Sequence, residues 1–397
     1  MGCSWKSVVL LVFALTIVQY VVIQTLTSTS YWLCPAHSRT SPAHSSSDPA
    51  FKSDDLKGTN SRSRTHVIIL TTTRAGSTFT AELLNQHPHV FCLFEPLFHV
   101  QDTVTGPNNF DRELILGASR DLLWSLFRCD LFALERYFRP APIDHMVPNL
   151  FMRRFSRAMT QPPVCQDDPC DPVNLTRAAQ ACREKSHVVY KTVRVVVVEE
   201  LRPLLEDPRL NVKVIQLVRD PRGILSSRIE TFSHWYKPWN VWKSSGLRPA
   251  SLHINPPQFN STCHELHASL KTAQRRPRWL RGRYMLLRYE DLCRNPLQKT
   301  KEIYDFVGLS VTPSVEEWIR VNTASNAWVE DKYGTRRDSA ANAESWRLKL
   351  PFDMVQHVQE ECRHALSIMG YREVRSPQEL RDTNVSLVQD ETFEALV

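Results

Sequence analysis

The chain has 397 residues, enough for one large domain or two ordinary ones. Hydrophobic residues make up 42% of it and charged residues 23%, which is typical of a globular protein with a packed core and excludes a wholly disordered one. The net charge of +7 favours an acidic ligand, but nucleic-acid-binding and membrane-surface proteins share such a charge. Arginine clusters at 274–278 and 336–337 are more often solvated surface than binding sites.

Residues 8–26 form the first predicted element, an uncleaved membrane anchor. The run contains no charge, and its 19 residues fall within the ~17–25 needed to cross a bilayer. Lys6 precedes the run, which indicates that residues 1–7 are a cytoplasmic tail. A cleaved signal peptide is the competing interpretation, but the apolar run is longer than the ~7–15 residues typical of one.

Residues 27–64 follow as a lumenal stem, because they are rich in Ser, Thr, Pro, Lys and His and poor in apolar positions. The pattern changes at Thr65, and we expect one folded domain over 65–375 and a polar, peripheral tail over 376–397. Three sequons beyond the anchor favour a lumenal, glycosylated body. They begin at Asn174, Asn260 and Asn384.

The ten cysteines agree with an oxidising compartment. Cys3 lies on the cytoplasmic side of the anchor and leaves an odd number beyond it, so at least one cysteine is free or joins two chains. Cys34, just outside the membrane, is placed to join two chains in a homodimer. Cys165 and Cys170, with Cys182 near, have no partner pair at zinc-site spacing, so a loop disulfide is favoured over a metal site.

Strands and helices alternate along the domain. Apolar runs typical of buried parallel strands occur at 67–70, 90–94, 188–190, 193–198, 212–218 and 284–287. Helical patterns lie between or after them, at 81–86, 112–128, 201–206, 224–232, 298–307 and 352–369. This alternation predicts an α/β fold with a doubly wound, mostly parallel sheet.

The first candidate site is the loop Thr-Thr-Thr-Arg-Ala-Gly-Ser-Thr-Phe at 71–79, directly after the first strand. It has the layout of a nucleotide-phosphate loop, but Ser77 stands where a nucleoside triphosphatase has lysine, so γ-phosphate and magnesium chemistry loses its usual support. Gly76 lets the backbone approach an anion, the amides of 77–79 would point at it, and Arg74 supplies a charged fork. An ordinary helix capped by Ser77 is the alternative.

The second candidate site follows the strand predicted at 212–218. Arg219 lies at the carboxyl end of that strand, where open α/β sheets bind ligands, and Pro221 presets the turn. Arg219 and Ser227 are expected to reach one phosphate group from two elements. An Arg–Asp pair that only fixes the turn is the alternative. Two anion sites at one sheet edge indicate a nucleotide with phosphates at its 5′ and 3′ ends.

At these motifs the sequence resembles the Golgi carbohydrate 6-O-sulfotransferases, which modify galactose, N-acetylglucosamine or N-acetylgalactosamine. TTTRAGSTF is similar to their 5′-phosphosulfate loop and LVRDPRGILSSR to their 3′-phosphate strand and helix. The resemblance continues through FCLFEPLFHVQ, LGASRDLL, KTVR, MLLRYEDL, KYGT and SWR, over about 65–371, and includes the short anchor. MGCSWK, LGASRDLL and EDPRLNVKVIQLVRDPRGIL favour the branch that sulfates galactose in keratan sulfate.

The resemblance implies a P-loop-like sulfotransferase fold and a type II Golgi membrane protein. It also implies 3′-phosphoadenylyl sulfate (PAPS) as donor and a keratan sulfate or lactosamine-type glycan as acceptor, with no metal and no nucleic acid. The implied donor-binding residues are Thr73, Arg74, Ala75, Gly76, Ser77, Thr78, Phe79, Arg219, Asp220, Pro221, Arg222, Gly223, Ile224, Leu225, Ser226 and Ser227. By family analogy, Trp346–Arg347 closes over the donor, with Trp346 stacked on adenine.

The chain departs from the family pattern at three positions. Relatives usually carry serine at the positions of Ala75 and Thr78 and an aromatic residue at that of Cys92. Thr78 keeps a hydroxyl, whereas Ala75 lacks one, which puts one donor contact in question.

Sulfuryl transfer to a sugar hydroxyl depends on positioning and on charge stabilisation, for which Arg74 and the loop amides are the candidates. A hydroxyl is a poor nucleophile, so a general base is expected. Glu95 is the candidate base because it follows the apolar run 90–94, where a charge is costly unless it is used or paired. A structural ion pair between Glu95 and an arginine is the alternative. His99 is a weaker candidate base, and Lys191 and Arg194 are candidate contacts to anions of donor or acceptor.

A P-loop nucleotide kinase and a non-enzymatic lectin or glycosaminoglycan-binding protein are the competing functions. The missing lysine, the lumenal signals and the lack of an evident magnesium carboxylate count against the kinase. Within the family, the 6-hydroxyl of N-acetylglucosamine or N-acetylgalactosamine is the alternative acceptor. We expect loops at 100–112, 137–182 and 233–278 to select it.

Overall fold

In the computed structural model, all described residues but one belong to the unit Ser61–Val397. The described residues are 64–98, 100, 111–134, 156–162, 164–165, 174–250, 252, 259–324 and 334–389, together with residue 19. Among them no helix is long and apolar enough to cross a membrane. The anchor at 8–26 lies outside the described residues except for residue 19, and it stays a prediction.

Five strands form a single sheet. In chain order they are β1 Thr65–Thr71, β2 Val90–Phe94, β3 His187–Thr192, β4 Asn211–Val218 and β5 Tyr284–Arg288. The spatial order is β2-β3-β1-β4-β5, and every neighbouring pair is parallel. The predicted α/β fold with a parallel sheet is therefore confirmed.

Helices surround the sheet. They are α1 Ser77–Asn85, α2 Arg112–Phe127, α3 Arg157–Thr160, α4 Leu175–Glu184, α5 Arg202–Leu205, α6 Pro221–Thr231, α7 Lys237–Ser245, α8 Phe259–Gln274, α9 Tyr289–Arg294, α10 Pro296–Val307, α11 Pro313–Thr323, α12 Ser339–Glu344, α13 Trp346–Lys349, α14 Phe352–Glu361, α15 Arg363–Ile368 and α16 Pro377–Arg381. Short 3₁₀ turns occupy Phe132–Leu134, Val198–Leu201 and Arg278–Leu280.

The central strand β1 is buried on both faces. Ile68 and Leu70 pack into one hydrophobic core, and Val67 and Ile69 pack into another that includes Leu83 of α1. Successive side chains of a strand point to opposite faces, so a strand covered by helices on both sides is apolar at every position. The continuous run at 67–70 follows from this.

The crevice between the carboxyl ends of β1 and β4 is the switch point of the sheet. From β1 the chain continues to β2 and β3 on one side, whereas β4 and β5 lie on the other. Thr71 Oγ1 donates a hydrogen bond of 2.8 Å to the Leu217 carbonyl and joins the two strand ends. Open α/β sheets bind ligands at such a point, and both predicted anion sites open here.

Three predictions about local structure are wrong. The apolar run 193–198 is not a strand, because the chain turns after Thr192, whose hydroxyl accepts a hydrogen bond from the Arg194 amide, and then enters a 3₁₀ turn. The helix predicted at 352–369 is two helices that break at Cys362. The segment 137–182 contains α3 and most of α4, and the segment 233–278 contains α7 and α8, where loops were expected.

The tail predicted to be peripheral is part of the folded unit as far as residue 389. Leu380, Leu387 and Val388 are buried, and Val388 pairs antiparallel with Tyr371. The fully buried Arg347 donates hydrogen bonds to several carbonyls of this segment, including that of Val385 at 2.8 Å. The segment is polar, as predicted, but buried arginines donate hydrogen bonds to its backbone carbonyls.

The cysteines form two disulfides within the described residues, Cys129–Cys182 and Cys263–Cys362. Cys165 is also disulfide-bonded, with a partner outside the described residues, so pairing with Cys170 stays a prediction. Cys92 and Cys293 are free and buried, which confirms that at least one cysteine is unpaired. Cys34 lies outside the described residues.

Candidate active site between β1 and β4

The loop from β1 to α1 ends at a glycine that no other residue can replace without strain. Gly76 occupies the N-cap position of α1 with φ 96°, and a Cβ there would overlap the ring of Tyr289. No side chain caps the helix, and Ser77 lies inside its first turn, so the alternative of a Ser77-capped helix is wrong. The amides of 77–79 belong to an uncapped helix N-terminus, which is suited to an anion.

Arg74 links this loop to the second motif. Its φ of 71° is rare for a residue with a side chain and costs about 1–3 kcal/mol. The Arg219 guanidinium stabilises this conformation by donating from Nη1 to the Arg74 carbonyl at 3.0 Å. Arg74 Nε in turn donates to Ser227 Oγ at 3.1 Å. The two predicted anion sites are thus joined through these residues.

The guanidinium of Arg219 is held between two surfaces. It lies over the ring of Tyr289, at 4.6 Å from the ring centroid. On another side, a Cβ added to Gly223 would come 3.2 Å from Arg219 Nε and 3.1 Å from Trp346 Cδ1, so this glycine permits the close approach. Arg219 is buried and its planar fork is oriented before any ligand binds.

The N-terminus of α6 is closed, unlike that of α1. Asp220 caps it by accepting from the Arg222 amide at 2.9 Å, and the same carboxylate binds the Arg222 guanidinium. Arg222 is fully buried and also donates to Gln359 Oε1 at 2.8 Å. The Asp220–Arg222 pair therefore fixes the turn, and Arg219 and Ser227 are the side chains that remain for a 3′-phosphate.

The other predicted donor-binding residues differ in where their side chains lie. Several are buried in the protein interior: Ala75, Pro221, Ile224, Leu225 and Ser226. Ala75 is fully buried in an apolar cluster that includes Val218 and Ile224, so its methyl group does not replace a hydroxyl in the crevice. Phe79 stacks on Trp318, at 5.9 Å between ring centroids. Thr73 and Thr78 are half-buried.

Glu95 forms a buried ion pair with a lysine. Its backbone has φ 52°, and its amide donates to the Lys191 carbonyl at 3.0 Å. Lys191 Nζ lies 2.5 Å from Glu95 Oε1, and Arg194 Nε lies 4.0 Å from Oε2. The expected arginine partner is present as Arg194, but the nearer partner is Lys191, because the register of β2 with β3 places Lys191 beside Phe94, one residue before Glu95. Whether the carboxylate also acts as a base stays a prediction.

The pair belongs electrostatically to the same site as the loop. Burial lowers the pKa of Lys191, the Glu95 carboxylate raises it, and the charges of Arg194 and Arg74 lower it further. Arg74 is therefore close enough to Lys191 for their charges to interact. The site brings together the uncapped N-terminus of α1, the cationic side chains of Arg74, Arg219, Lys191 and Arg194, and the Glu95 carboxylate at one edge of the sheet.

Three further predicted residues have other roles or lie elsewhere. Arg347 is committed to the carbonyls of the C-terminal segment, so it does not close over a donor. Trp346 is buried against Gly223 and the Arg222 guanidinium, and its stacking on adenine stays a prediction. His99 lies outside the described residues.

Sequence reasoning missed four residues that shape the crevice. Arg228 Nε donates to the Thr73 carbonyl at 3.1 Å, Glu290 Oε1 accepts from the Asp220 amide at 3.1 Å, and Tyr289 packs on Gly76 and Arg219. Thr72 is buried just beyond β1. Thr72 directly follows β1, and Tyr289 and Glu290 directly follow β5, so their positions at the carboxyl edge of the sheet were an available signal. Arg228 lies in α6 and had no such signal.

The site has unmet hydrogen-bonding capacity. Among the described residues, Thr72 Oγ1 and Arg219 Nε are buried without a hydrogen-bond partner. Buried polar groups are normally paired, so both atoms are available to a ligand that enters the crevice. Within the residues that the structure describes, no group of three or more His, Cys, Asp or Glu side chains is arranged to hold a metal ion.

Comparison with known proteins shows the family of this chain. A family model described as a sulfotransferase domain matches residues 64–370. The chain is 48% identical to carbohydrate sulfotransferase 1 of Danio rerio and 45% identical to that of Homo sapiens, in each case over 99% of both chains. This chain belongs to the carbohydrate sulfotransferases. Its membership excludes both the nucleotide kinase and the non-enzymatic lectin considered from the sequence.

Other known proteins are similar over less of the chain. The sulfotransferase is 40% identical to carbohydrate sulfotransferase 3 of Homo sapiens over 82% of this chain and 71% of that protein. Among solved structures, a sulfotransferase domain of the Synechococcus PCC 7002 olefin synthase matches 75% of this chain and 94% of its own, with 17% identity and a TM-score of 0.36. Retinol dehydratase in complex with retinol and PAP matches 79% and 83%, with 15% identity and a TM-score of 0.34.

Proposed function

We propose that this carbohydrate sulfotransferase transfers the sulfuryl group of PAPS to the 6-hydroxyl of galactose in keratan sulfate or related sialyl-N-acetyllactosamine glycans. One observation carries the proposal: two cationic turns, at Arg74 and at Arg219, meet at the switch point of the sheet and are hydrogen-bonded to each other. A donor with phosphate groups at both ends of one nucleoside matches two adjacent anion sites. The unpartnered atoms of Thr72 and Arg219 fit such a ligand.

Each anion site has its own donors. The amides of 77–79 and the Arg74 side chain bind the 5′-phosphosulfate, because an uncapped helix N-terminus favours negative charge. Arg219 and Ser227 bind the 3′-phosphate, and a charge-assisted hydrogen bond of this type contributes about 1.5–3 kcal/mol. Bound here, PAPS supplies a sulfuryl group on a phosphate leaving group.

The chain's side chains then assist an in-line displacement. A bond forms between the acceptor's O6 and sulfur while the bond from sulfur to the bridging phosphate oxygen breaks. Glu95, oriented by Lys191, takes the hydroxyl proton. Arg74 and the loop amides stabilise the negative charge that develops on the leaving phosphate. Lys191 and Arg194 add positive charge beside the acceptor hydroxyl, and this charge favours the binding of an anionic glycan.

The acceptor and the cellular setting are the finer parts of the proposal. The segments MGCSWK, LGASRDLL and EDPRLNVKVIQLVRDPRGIL resemble the galactose-specific branch of the family, and the 6-hydroxyl of N-acetylglucosamine or N-acetylgalactosamine is the alternative. We place the protein in the Golgi membrane with a type II anchor at 8–26, as a homodimer, with glycans at the three sequons. Asn174 and Asn384 are exposed, as a glycosylated residue must be.

Nucleotide binding tests the donor assignment. The purified protein is titrated calorimetrically with 3′-phosphoadenosine 5′-phosphate (PAP) and, separately, with ATP and magnesium. We expect PAP to bind at least tenfold more tightly, since only PAP places a phosphate at both anion sites. Equal binding of the two nucleotides, or no binding of PAP, would refute the donor assignment.

A further inference from the structure

The turn at Arg219–Asp220 is held by two consecutive residues of α9. Val218 of β4 pairs with Arg288 of β5 at the end of the sheet. The same register continues beyond the strands: Tyr289 lies under the Arg219 guanidinium, and Glu290 Oε1 accepts from the Asp220 amide at 3.1 Å. One residue of α9 thus contacts the residue that would bind phosphate, and the next fixes the backbone that follows it.

The Glu290 carboxylate is itself fixed from the opposite side. Its Oε2 accepts a hydrogen bond of 2.5 Å from the hydroxyl of Tyr371. Glu290 and Tyr371 are both buried, and Tyr371 is anchored by its amide to the Leu366 carbonyl and by its pairing with Val388. The carboxylate therefore connects the Asp220 turn to the C-terminal segment through two hydrogen bonds.

A second carboxylate next to an anion site is costly and needs a reason. Glu290 lies beside Asp220, and both stand close to the cation that would hold a 3′-phosphate. An apolar residue at 290 would avoid the repulsion but would leave the Asp220 amide buried without an acceptor. The cost is understandable if the carboxylate sets the orientation of the turn.

We propose that Glu290 is a positioning residue for the 3′-phosphate site, which holds the Arg219–Asp220 turn through the Asp220 amide and is oriented by Tyr371. The proposal rests on the proposed function, since it assumes that the crevice binds a 3′-phosphorylated nucleotide. It assigns Glu290 no contact with the donor or the acceptor. Its effect is confined to the part of donor affinity that comes from the 3′-phosphate.

The affinities of two nucleotides separate the contribution of the 3′-phosphate from the rest of the donor affinity. PAP carries the 3′-phosphate and 5′-AMP lacks it, so the ratio of their affinities measures the contribution of the 3′-phosphate. Both are titrated calorimetrically into the purified full-length protein and its variants. Glu290→Ala is expected to lower the PAP affinity about tenfold or more and to change the 5′-AMP affinity far less. Glu290→Gln keeps an oxygen that accepts from the Asp220 amide, so it should restore most of the ratio.

Two further variants keep the test decisive. Tyr371→Phe removes only the hydroxyl that orients Glu290 and should lower the ratio roughly twofold to tenfold, even if Glu290→Ala fails to fold. Asp291→Asn is the matched control, because Asp291 follows Glu290 in α9 but binds Arg288 instead of the turn. It should lower thermal stability without changing the ratio.

The outcomes distinguish a failure of the proposed function from a failure of the role proposed for Glu290. If the wild-type protein binds PAP no better than 5′-AMP, the proposed function fails, and the role of Glu290 fails with it. If the wild type prefers PAP and both Glu290→Ala and Tyr371→Phe keep that preference, Glu290 has no positioning role. A ratio that falls equally in Asp291→Asn would show a general loss of packing and would also overturn the proposal.

Discussion

Arg219 donates a hydrogen bond from Nη1 to the main-chain carbonyl of Arg74 at 3.0 Å. The bond joins two turns that are 145 residues apart in sequence and lie after neighbouring strands. It holds Arg74 in a left-handed backbone conformation, from which its side chain reaches Ser227. The two halves of the proposed donor site are consequently one hydrogen-bonded unit.

Replacement of Arg219 by alanine should weaken donor binding more than any change outside the crevice. The variant loses the charged contact to the 3′-phosphate and releases the Arg74 carbonyl, so PAP binding should weaken by about 1.5–3 kcal/mol. Calorimetric titration measures this loss. Arg320→Ala, an exposed arginine paired with Glu317, is the control and should bind PAP as the wild type does. An Arg219→Ala variant with wild-type affinity would remove Arg219 from the site.

Replacement of Glu95 by glutamine should separate chemistry from binding. Glutamine is nearly isosteric but cannot take the hydroxyl proton, so kcat should fall about 10²–10⁴-fold while PAP affinity is retained. Initial rates with labelled PAPS measure the first quantity and calorimetry the second. Lys191→Met is the companion variant: it removes the nearer of the two cations that pair with Glu95, leaves Arg194 at 4.0 Å, and should lower stability by at most about 3–5 kcal/mol. An active Glu95→Gln enzyme would show that the ion pair is only structural.

Replacement of Ala75 by serine should not improve donor binding. The Ala75 side chain packs in an apolar cluster, away from the crevice, so an added hydroxyl would be buried without a partner there. We expect PAP affinity to stay the same and the free energy of unfolding to fall by about 1–3 kcal/mol. Denaturant titration and calorimetry test the two halves of this expectation. Tighter PAP binding by the serine variant would mean that the side chain at 75 reaches the donor.

The buried Glu290 should give the protein a specific dependence of stability on pH. Burial and the charge of Asp220 raise its pKa to about 7, while the Tyr371 hydroxyl and the Arg219 guanidinium oppose the shift. Arg288 and Cys293 also face the carboxylate. The folded state holds this proton more tightly than the unfolded state between about pH 4.5 and 7, so the free energy of unfolding falls as pH rises through that window.

Denaturant titrations at pH 5, 6, 7 and 8 measure this slope. One proton contributes at most about 1.4 kcal/mol per pH unit, and Glu290→Gln should remove that contribution from the wild-type slope. Glu302→Gln, which changes a surface carboxylate paired with Lys299, should leave the slope as it is. Identical slopes in the wild type and Glu290→Gln would contradict a raised pKa at this position.

The sheet was largely predictable from the sequence, because a strand buried on both faces reads as a continuous apolar run. The run at 90–94 coincides with β2, and the other strands differ from their predicted bounds by a few residues. The run at 193–198 misled for the same reason: Val195 and Val198 are buried, and apolar residues report burial in a turn as well as in a strand. Helices α4 and α8 were missed within segments taken for loops, although disulfides at Cys182 and Cys263 hold them to the core.

The candidate site was predictable only in part. Local motifs located Arg74 and Arg219, because a glycine-containing turn after a buried strand is a local signal. The partners of these residues depend on strand register, which no local pattern encodes. The pairing of Lys191 with Glu95 follows from the alignment of β3 with β2, and the contact of Glu290 with Asp220 follows from that of β5 with β4. The closed N-terminus of α6 likewise became evident only from the side-chain geometry of Asp220.

The most direct test of the proposed function is a transfer assay with mapping of the labelled position. The purified protein is incubated with sulfur-labelled PAPS and, separately, with keratan-type N-acetyllactosamine chains, chondroitin and glycans that end in N-acetylglucosamine. We expect label on the 6-oxygen of galactose in the keratan-type chains, and about 10²–10⁴-fold less of it with Glu95→Gln. Transfer only to N-acetylglucosamine or N-acetylgalactosamine, or no transfer from PAPS at all, would contradict it.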